Sequence, residues 1–290
     1  MIEYSPRNSK KAACNPYRDL YIYYIQGQCG PDIEVPKKDF IGNWEEDGFS
    51  FLFFTCPAND IVDDVLNSRP DLALLDQFQM TWEEWQGQAI RPSRIGGFYI
   101  SPPWDLSGDL NDPPEEKGKG IVLDPGVVFG AGTHPTTSDC LNLIELVFRE
   151  NSVETVLDLG TGTGLLALAA GKLGPGRILA VDFNLLAVQT ALGNIRLNGL
   201  EDRVMAVRGR AEDFIEMPAD LVIANIHHDV MKHLIRSDGL LRKKFFILSG
   251  LLRSQAEEVA RELSRLPVRI VEKRQSDGVW HTLFGEVCQG

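Results

Sequence analysis

The residues best suited by type and spacing to do chemistry are acids, glycines and one amide, each at the end of an apolar run. In "VLDLGTGTG" the order is D-x-G-x-G-x-G, with Asp158 ahead of Gly160, Gly162 and Gly164. Glycines at such a point let the backbone turn sharply and let a ligand lie close to the main chain. Asp182 closes the next apolar run, "RILAVD", where a carboxylate can accept both hydroxyls of a ribose. Asn225 closes "ADLVIAN"; its amide oxygen can accept a hydrogen bond from an incoming amine and orient its lone pair, but it is no base.

These positions imply a cofactor pocket, and two ligand classes compete for it. Gly162-Thr-Gly164-Leu-Leu-Ala167 also satisfies the dinucleotide pattern G-x-G-x-x-A, which leaves a dinucleotide-dependent oxidoreductase as the remote alternative. The acid on the turn favours S-adenosylmethionine. Asp158 has little use beside a pyrophosphate, whereas the cationic amino acid portion of S-adenosylmethionine can use a carboxylate there. A plain strand-to-helix turn is the bland reading.

A second glycine-rich element lies thirty residues upstream, "LDPGVVFGAGTHPTTSDCL", Leu123 to Leu141. Its Pro135 and threonines suit the start of a helix near Pro135–Asp139, with Thr136 or Thr137 as capping groups. Other polar and aromatic candidates each have a structural alternative. His227 and His228 follow Asn225, where one could take a proton, but both also suit a helix start or the surface. Glu212 and Asp213 follow the third strand and suit either an adenine contact or plain solvation. Trp280 suits a substrate mouth or the core, and Trp82 and Trp85, three apart on one helical face, suit packing of a linker.

The elements that must hold these residues alternate from Val153 onward. The strands "ETVLDLG", "RILAVDF", "RVMAVRG", "ADLVIANI" and "FFILSGLL" are separated by helices at Leu165–Leu173, Leu185–Asn198, a segment after Asn225, and Ser254–Leu266. Strict alternation implies a parallel sheet covered on both faces. The tail "VRIVEKRQ", "DGV", "WHTLFGEV" reads as a hairpin, so the sheet is expected to finish with an antiparallel strand. The front part reads as a small α+β unit: "LYIYYIQG", "FSFLFF" and a helix from Asp60 to about Leu75. A tryptophan-bearing segment follows, helical at its start and ending in the strand "GFYIS"; "DLSGDLNDPPEEKGKG" reads as a surface loop.

Bulk composition narrows the class. The 290 residues suit one large domain plus a small one, and 43% hydrophobic with 24% charged residues is an ordinary globular balance. No run reaches the roughly 20 apolar residues of a membrane span, and the first twenty residues contain no secretory core. Five scattered cysteines without a C-x-x-C pair argue against disulfides and zinc, and for a reducing, cytoplasmic setting; no metal is expected. A net charge of −12 disfavours nucleic acid as a direct partner and suits a lysine-rich protein segment, though acidity also serves solubility.

The tandem of "LDPGVVFGAGTHPTT", "VLDLGTGTGLLALAA", "AVDFN" and "IANI", with "TWEEWQGQAIRPSRIGGFYISPPW" upstream, resembles the PrmA family, methyltransferases of ribosomal large-subunit protein L-eleven. The resemblance runs from about Thr81 to the C-terminus. It implies a Rossmann-like class I methyltransferase: a mostly parallel seven-stranded α/β sheet with a terminal antiparallel strand, plus a small N-terminal α+β domain. By the same resemblance, residues 1–80 would recognise the substrate, 81–94 would be a linker, and 95–290 would bind S-adenosylmethionine. Thr137, Gly160, Asp182 and Asn225 would contact that cofactor. Phe129 and Thr133 belong to the upstream element, which would fold over it as a lid with Gly126, Gly130 and Gly132 as flexible points. Together with Asp158 and Gly162 these form the expected cofactor site, and Asn225 is the expected catalytic residue. The implied activity is methylation of lysine side chains, and of an N-terminal amine, on that ribosomal protein. The family's front unit is βαββαβ, whereas the stretch before Trp82 has room for one convincing helix. That leaves open a related methyltransferase acting on another protein or a small molecule.

Overall fold

The computed structural model describes residues 15–31, 33–36, 38–106, 119–174 and 176–288. Most of the polar stretch read as a surface loop, residues 107–118, lies outside them, as do the first fourteen residues.

Strands β1 (Asp19–Gln26), β2 (Phe40–Glu46) and β3 (Phe49–Phe54), helix α1 (Asn59–Ser68) and strand β4 (Ala73–Thr81) form the front unit, a four-stranded sheet in the order β2-β3-β1-β4. The helix expected to reach Leu75 stops at Ser68 instead. Pro70 disfavours helical backbone at Arg69 and supplies no N–H, and the chain turns into β4. Alternation along the strands builds two faces. Tyr23, Ile25, Leu52 and Phe54 pack on Val62 and Val65 of α1. Leu20, Ile22 and Phe53 point the other way and join Trp82, Val127, Val128 and Leu186 in a second cluster.

Helix α2 (Trp82–Gln86) starts at a reciprocal Thr81–Glu84 capping box and leads to a three-stranded sheet of β5 (Ser93–Ile95), β6 (Phe98–Ser101) and β7 (Gly120–Val122). Helix α3 (Pro135–Glu150) starts where expected but runs for sixteen residues. Cys140, Leu141, Leu143, Ile144 and Val147 carry a buried helical stripe well beyond the start that the sequence marked near Pro135–Asp139.

The rest follows the alternating pattern: β8 (Thr155–Leu159), α4 (Leu165–Leu173), β9 (Arg177–Asp182), α5 (Leu185–Leu197), β10 (Val204–Arg208), α6 (Ala211–Phe214), β11 (Leu221–Asn225), α7 (His228–Arg236), β12 (Phe245–Leu252), α8 (Arg253–Leu263), β13 (Val268–Ser276) and β14 (Trp280–Val287). The sheet order is β10-β9-β8-β11-β12-β14-β13. Every pairing among β8 to β12 is parallel, and β14 runs antiparallel to both of its neighbours. The hairpin before β14 turns at Asp277 and Gly278, both with positive φ (50° and 70°), the backbone of a two-residue turn whose twist matches the strands. This is the class I methyltransferase architecture that the resemblance implied. Among the described residues no helix is long and apolar enough to cross a membrane.

Candidate active site

In an open parallel sheet the crevice beyond the strands' C-terminal ends, where the connections reverse direction, is the place for a ligand. Here that point lies at β8, which has β9 on one side and β11 on the other. Asp158, Asp182 and Asn225 stand in or at the C-terminal ends of those three strands.

The turn after β8 is held by its backbone. Gly160, Gly162 and Gly164 have φ of 73°, 55° and 85°, a region that side-chain-bearing residues avoid. The amides of Gly160 and Thr161 donate to the Val181 carbonyl (2.8 and 3.0 Å), tying the turn to the end of β9. Asp182 completes this tie. It accepts from the Gly162 amide at 3.0 Å and from the Asn184 amide at 2.9 Å, one on each oxygen, so each oxygen keeps a lone pair for a ligand hydroxyl. Burial raises its pKa, and the backbone amides oppose that rise.

Asp158 is fully buried beneath the turn. The Thr161 hydroxyl donates to Oδ2 at 2.6 Å, while Oδ1, also buried, makes no hydrogen bond among the described residues. Desolvation pushes this carboxyl up to about 7, and nearby Asp182 pushes the same way. A buried acid with an idle oxygen is a place for a ligand's cationic N–H group, which would satisfy both charge and hydrogen bond.

The upstream glycine element packs directly on this turn. A Cβ added to Gly162 would lie 2.7 Å from the Phe129 carbonyl oxygen, and the Thr163 hydroxyl donates to the Gly130 carbonyl at 2.8 Å. Asn194, buried in the middle of α5, clamps both strips. Its amide donates to the carbonyls of Asp124 and Thr163 (2.9 Å each) and accepts from the Asp124 amide (2.8 Å). Asn198, one turn on, exchanges two bonds with the backbone of Val122. From outside, the indole N–H of Trp82 donates to the Gly126 carbonyl (2.6 Å) and that of Trp85 to Val127 (2.9 Å). The two tryptophans thus pack the linker onto the site. Gly126, Gly130 and Gly132 all have positive φ, so they are needed for the path of the element as it stands.

The expected site residues fall into groups. Gly160, Gly162, Asp158 and Asp182 surround the turn. Phe129 is 65% exposed, 6.1 Å from the Trp85 ring, and Thr133 is exposed. Thr137 is buried in the first turn of α3. Asn225 reaches that same turn, its Nδ2 donating to the Thr136 hydroxyl at 3.2 Å. His227 caps the start of α7 and is exposed, while His228 lies 3.4 Å from the Glu258 carboxylate, so it faces α8. Glu212 pairs with Arg210, and Asp213 is exposed. The Trp280 ring meets His134 edge-on at 4.8 Å. Asn194, Thr163 and Asn184 were not read from the sequence as part of the site. A signal existed for the first: two asparagines four apart, at 194 and 198, on the buried stripe of a helix. Among the described residues no group of three or more His, Cys, Asp or Glu side chains is placed to hold a metal.

The chain is similar to known methyltransferases over most of its length. The family model described as "Ribosomal protein L11 methyltransferase (PrmA)" matches residues 63–287. A relative named ribosomal protein L11 methyltransferase from Desulforamulus reducens is 35% identical over 208 residues, covering 70% of this chain and 65% of its own. One of the same name from Lacticaseibacillus paracasei is 36% identical and covers 71% and 64%. The chain thus spans just under two thirds of the length of these two relatives. A third, from Desulfitobacterium hafniense, is 35% identical over 293 residues and covers 89% of each chain. A crystal structure titled as ribosomal protein L11 methylase from Lactobacillus delbrueckii subsp. bulgaricus superposes with a TM-score of 0.58 at 28% identity, covering 69% of this chain and 100% of that one.

Proposed function

The chain belongs to the PrmA family, and we propose that it transfers methyl groups from S-adenosylmethionine to lysine side chains, and to an N-terminal amine, of ribosomal protein L11. The observation that carries this reading is the joining of two glycine elements into one crevice wall bounded by Asp158, Asp182 and Asn225. In the proposed site Asp182 accepts the ribose hydroxyls on its remaining lone pairs. Asp158 offers its idle Oδ1 to the cofactor's ammonium group. Gly160 and Gly162 leave room at the main chain, and Phe129, Thr133 and Thr137 line the upstream wall. The cofactor supplies an electrophilic methyl group on a positively charged sulfur.

The acceptor must arrive with a free lone pair. A lysine of ordinary pKa ~10.4 is neutral in only about one molecule per thousand at neutral pH. A crevice that desolvates the amine favours the neutral form, and the Asn225 amide oxygen can take one N–H so that the lone pair faces the methyl group. Placement of the amine then supplies most of the rate, and no protein group has to carry the proton away. The acidic chain suits a lysine-rich acceptor, and the setting proposed is the cytoplasm. The division into a recognition unit to residue 80, a linker over 81–94 and a catalytic domain from 95 belongs to the same proposal.

The test is to incubate the protein with radiolabelled S-adenosylmethionine and ribosomal proteins from the same cell. Label on the L11 band, at lysines by mass spectrometry, is expected. Label on another protein alone would retire the substrate. Calorimetric binding of a nicotinamide dinucleotide without S-adenosylmethionine binding would retire the reaction.

A further inference from the structure

We propose that Thr136 and His134 fix which way round the Asn225 amide lies, which makes Thr136 a positioning residue for the acceptor amine. This rests on the reading of Asn225 given above. A backbone amide can only donate. The Thr136 N–H points at His134 Nδ1 from 3.3 Å, so Nδ1 carries a lone pair and the neutral ring holds its proton on Nε2. The Thr136 hydroxyl lies 2.7 Å from that same Nδ1 and must direct its single proton there. Only lone pairs then remain on Thr136 Oγ1 for Asn225, 3.2 Å away, so Asn225 must turn its NH2 group toward it.

The amide oxygen is thereby forced onto the other limb, beside Gly250. There it accepts no hydrogen bond among the described residues. A Cβ on Gly250, whose φ is +81°, would come within 3.1 Å of it. The oxygen is the atom an incoming amine needs. A reversed amide would donate to the amine nitrogen and occupy the lone pair that must attack the methyl group. The edge-on Trp280 ring holds the imidazole in place. Burial lowers the His134 pKa, which favours the neutral ring, while Asp277 opposes that shift. Helix capping by His134 accounts for the backbone bond. It does not account for a threonine hydroxyl bonded to an asparagine 89 residues away at the end of β11.

Thr136→Val removes the hydroxyl at nearly constant volume, and Thr136→Ser restores it. The valine variant is expected to lower kcat about tenfold, the loss of one aligned hydrogen bond, with the KM for S-adenosylmethionine within about twofold. Serine should recover most of the lost turnover. In an Asn225→Ala background the valine should cost nothing further. The Asn225 side-chain NH2 signals, identified by their loss in Asn225→Ala, should shift in the valine variant and return with serine. If valine does not fold, His134→Leu and His134→Asn at the exposed histidine make the same comparison, since Asn can still accept from Thr136. The proposal is overturned if the loss of the hydroxyl leaves kcat or the NH2 signals unchanged, or if the valine is equally costly without Asn225. A wild-type protein that transfers no methyl group, or an Asn225→Ala variant of full turnover, would instead overturn the reading beneath it. The NH2 signals would still report the amide's orientation.

Discussion

At the scale of single residues, two carboxylates a few ångströms from the same turn have different work. Asp182 carries two backbone bonds and faces the sugar in the proposed site, so Asp182→Ala should weaken cofactor binding about 100-fold, the loss of charge-assisted bonds to a ligand. Asn225→Ala should leave binding nearly intact and lower turnover by about 10²-fold. Equal losses in calorimetry and kinetics for both variants would contradict these roles. Asp158 should be visible through pH. Its carboxyl titrates from 3.8 in the unfolded chain to about 7 when folded, so between those values the folded chain holds the extra proton. Its contribution to stability is therefore greatest below about pH 4 and falls as pH rises toward 7. A cation bound beside it reverses the preference. Affinity for S-adenosylmethionine should rise from pH 4 to 7, with proton release on binding, and both effects should vanish in Asp158→Asn. Asp158, Asp182 and Asn225 were legible because each closes an apolar run at a fixed place in an alternating pattern. Thr136 was legible only as a capping residue, because its partner lies at the end of the distant strand β11 and spacing carries no trace of such a bond.

At the scale of elements, the upstream glycine strip and the turn act as one piece because a helix pins them together. Asn194→Ala takes three bonds out of a buried place and should cost about 2–4 kcal/mol in urea unfolding. It should also weaken cofactor binding, since the strip would no longer be held on the turn. Unchanged affinity at lowered stability would separate the clamp from the site. The alternating strands and helices after Val153 could be read directly, since their periods differ and their glycine and asparagine stops are local. Strands β2 and β4 went unread. For β2 the signal was present: Asp47 and Gly48 have φ of 51° and 85°, the same turn chemistry recognised at Asp277-Gly278. Strand β4 misleads because Gln77 and Gln79 sit opposite Tyr23 and Tyr21 on the α1 side of the sheet, and both are exposed. A single helix covers that side only in part, and the polar-apolar alternation of Gln77-Phe78-Gln79-Met80 is short and broken upstream by the adjacent Leu74 and Leu75, so it announces the strand weakly.

At the scale of the whole molecule, the front sheet, helix α2 and the part that carries the seven-stranded sheet share one cluster, in which Tyr17, Ile22 and Phe53 meet Trp82, Val128 and Leu186. Asn184, two residues after Asp182, donates to the Glu45 carbonyl at 3.1 Å, so the strand end proposed to face the sugar touches the front sheet. One cooperative unfolding transition is expected. Trp82→Ala, emptying a fully buried site, should lower stability by about 3–5 kcal/mol without splitting that transition. Two calorimetric peaks would show instead that the front unit folds by itself. This coupling was not legible, because the cluster gathers residues from 17 to 187 whose local patterns speak only of their own elements. The order of the last strands has a further consequence. Among the described residues the only neighbour of β13 in the sheet is β14, and the N-terminal part of α3 is braced by Ser276 and Thr282, both of which donate to Asp139. During translation, then, the chain must have been made through Thr282 before this brace is complete. A nascent chain that ends before Ser276 would carry Asp158, Asp182 and Asn225 and still lack this brace, so the start of α3 would be set only after β13 and β14 have been made.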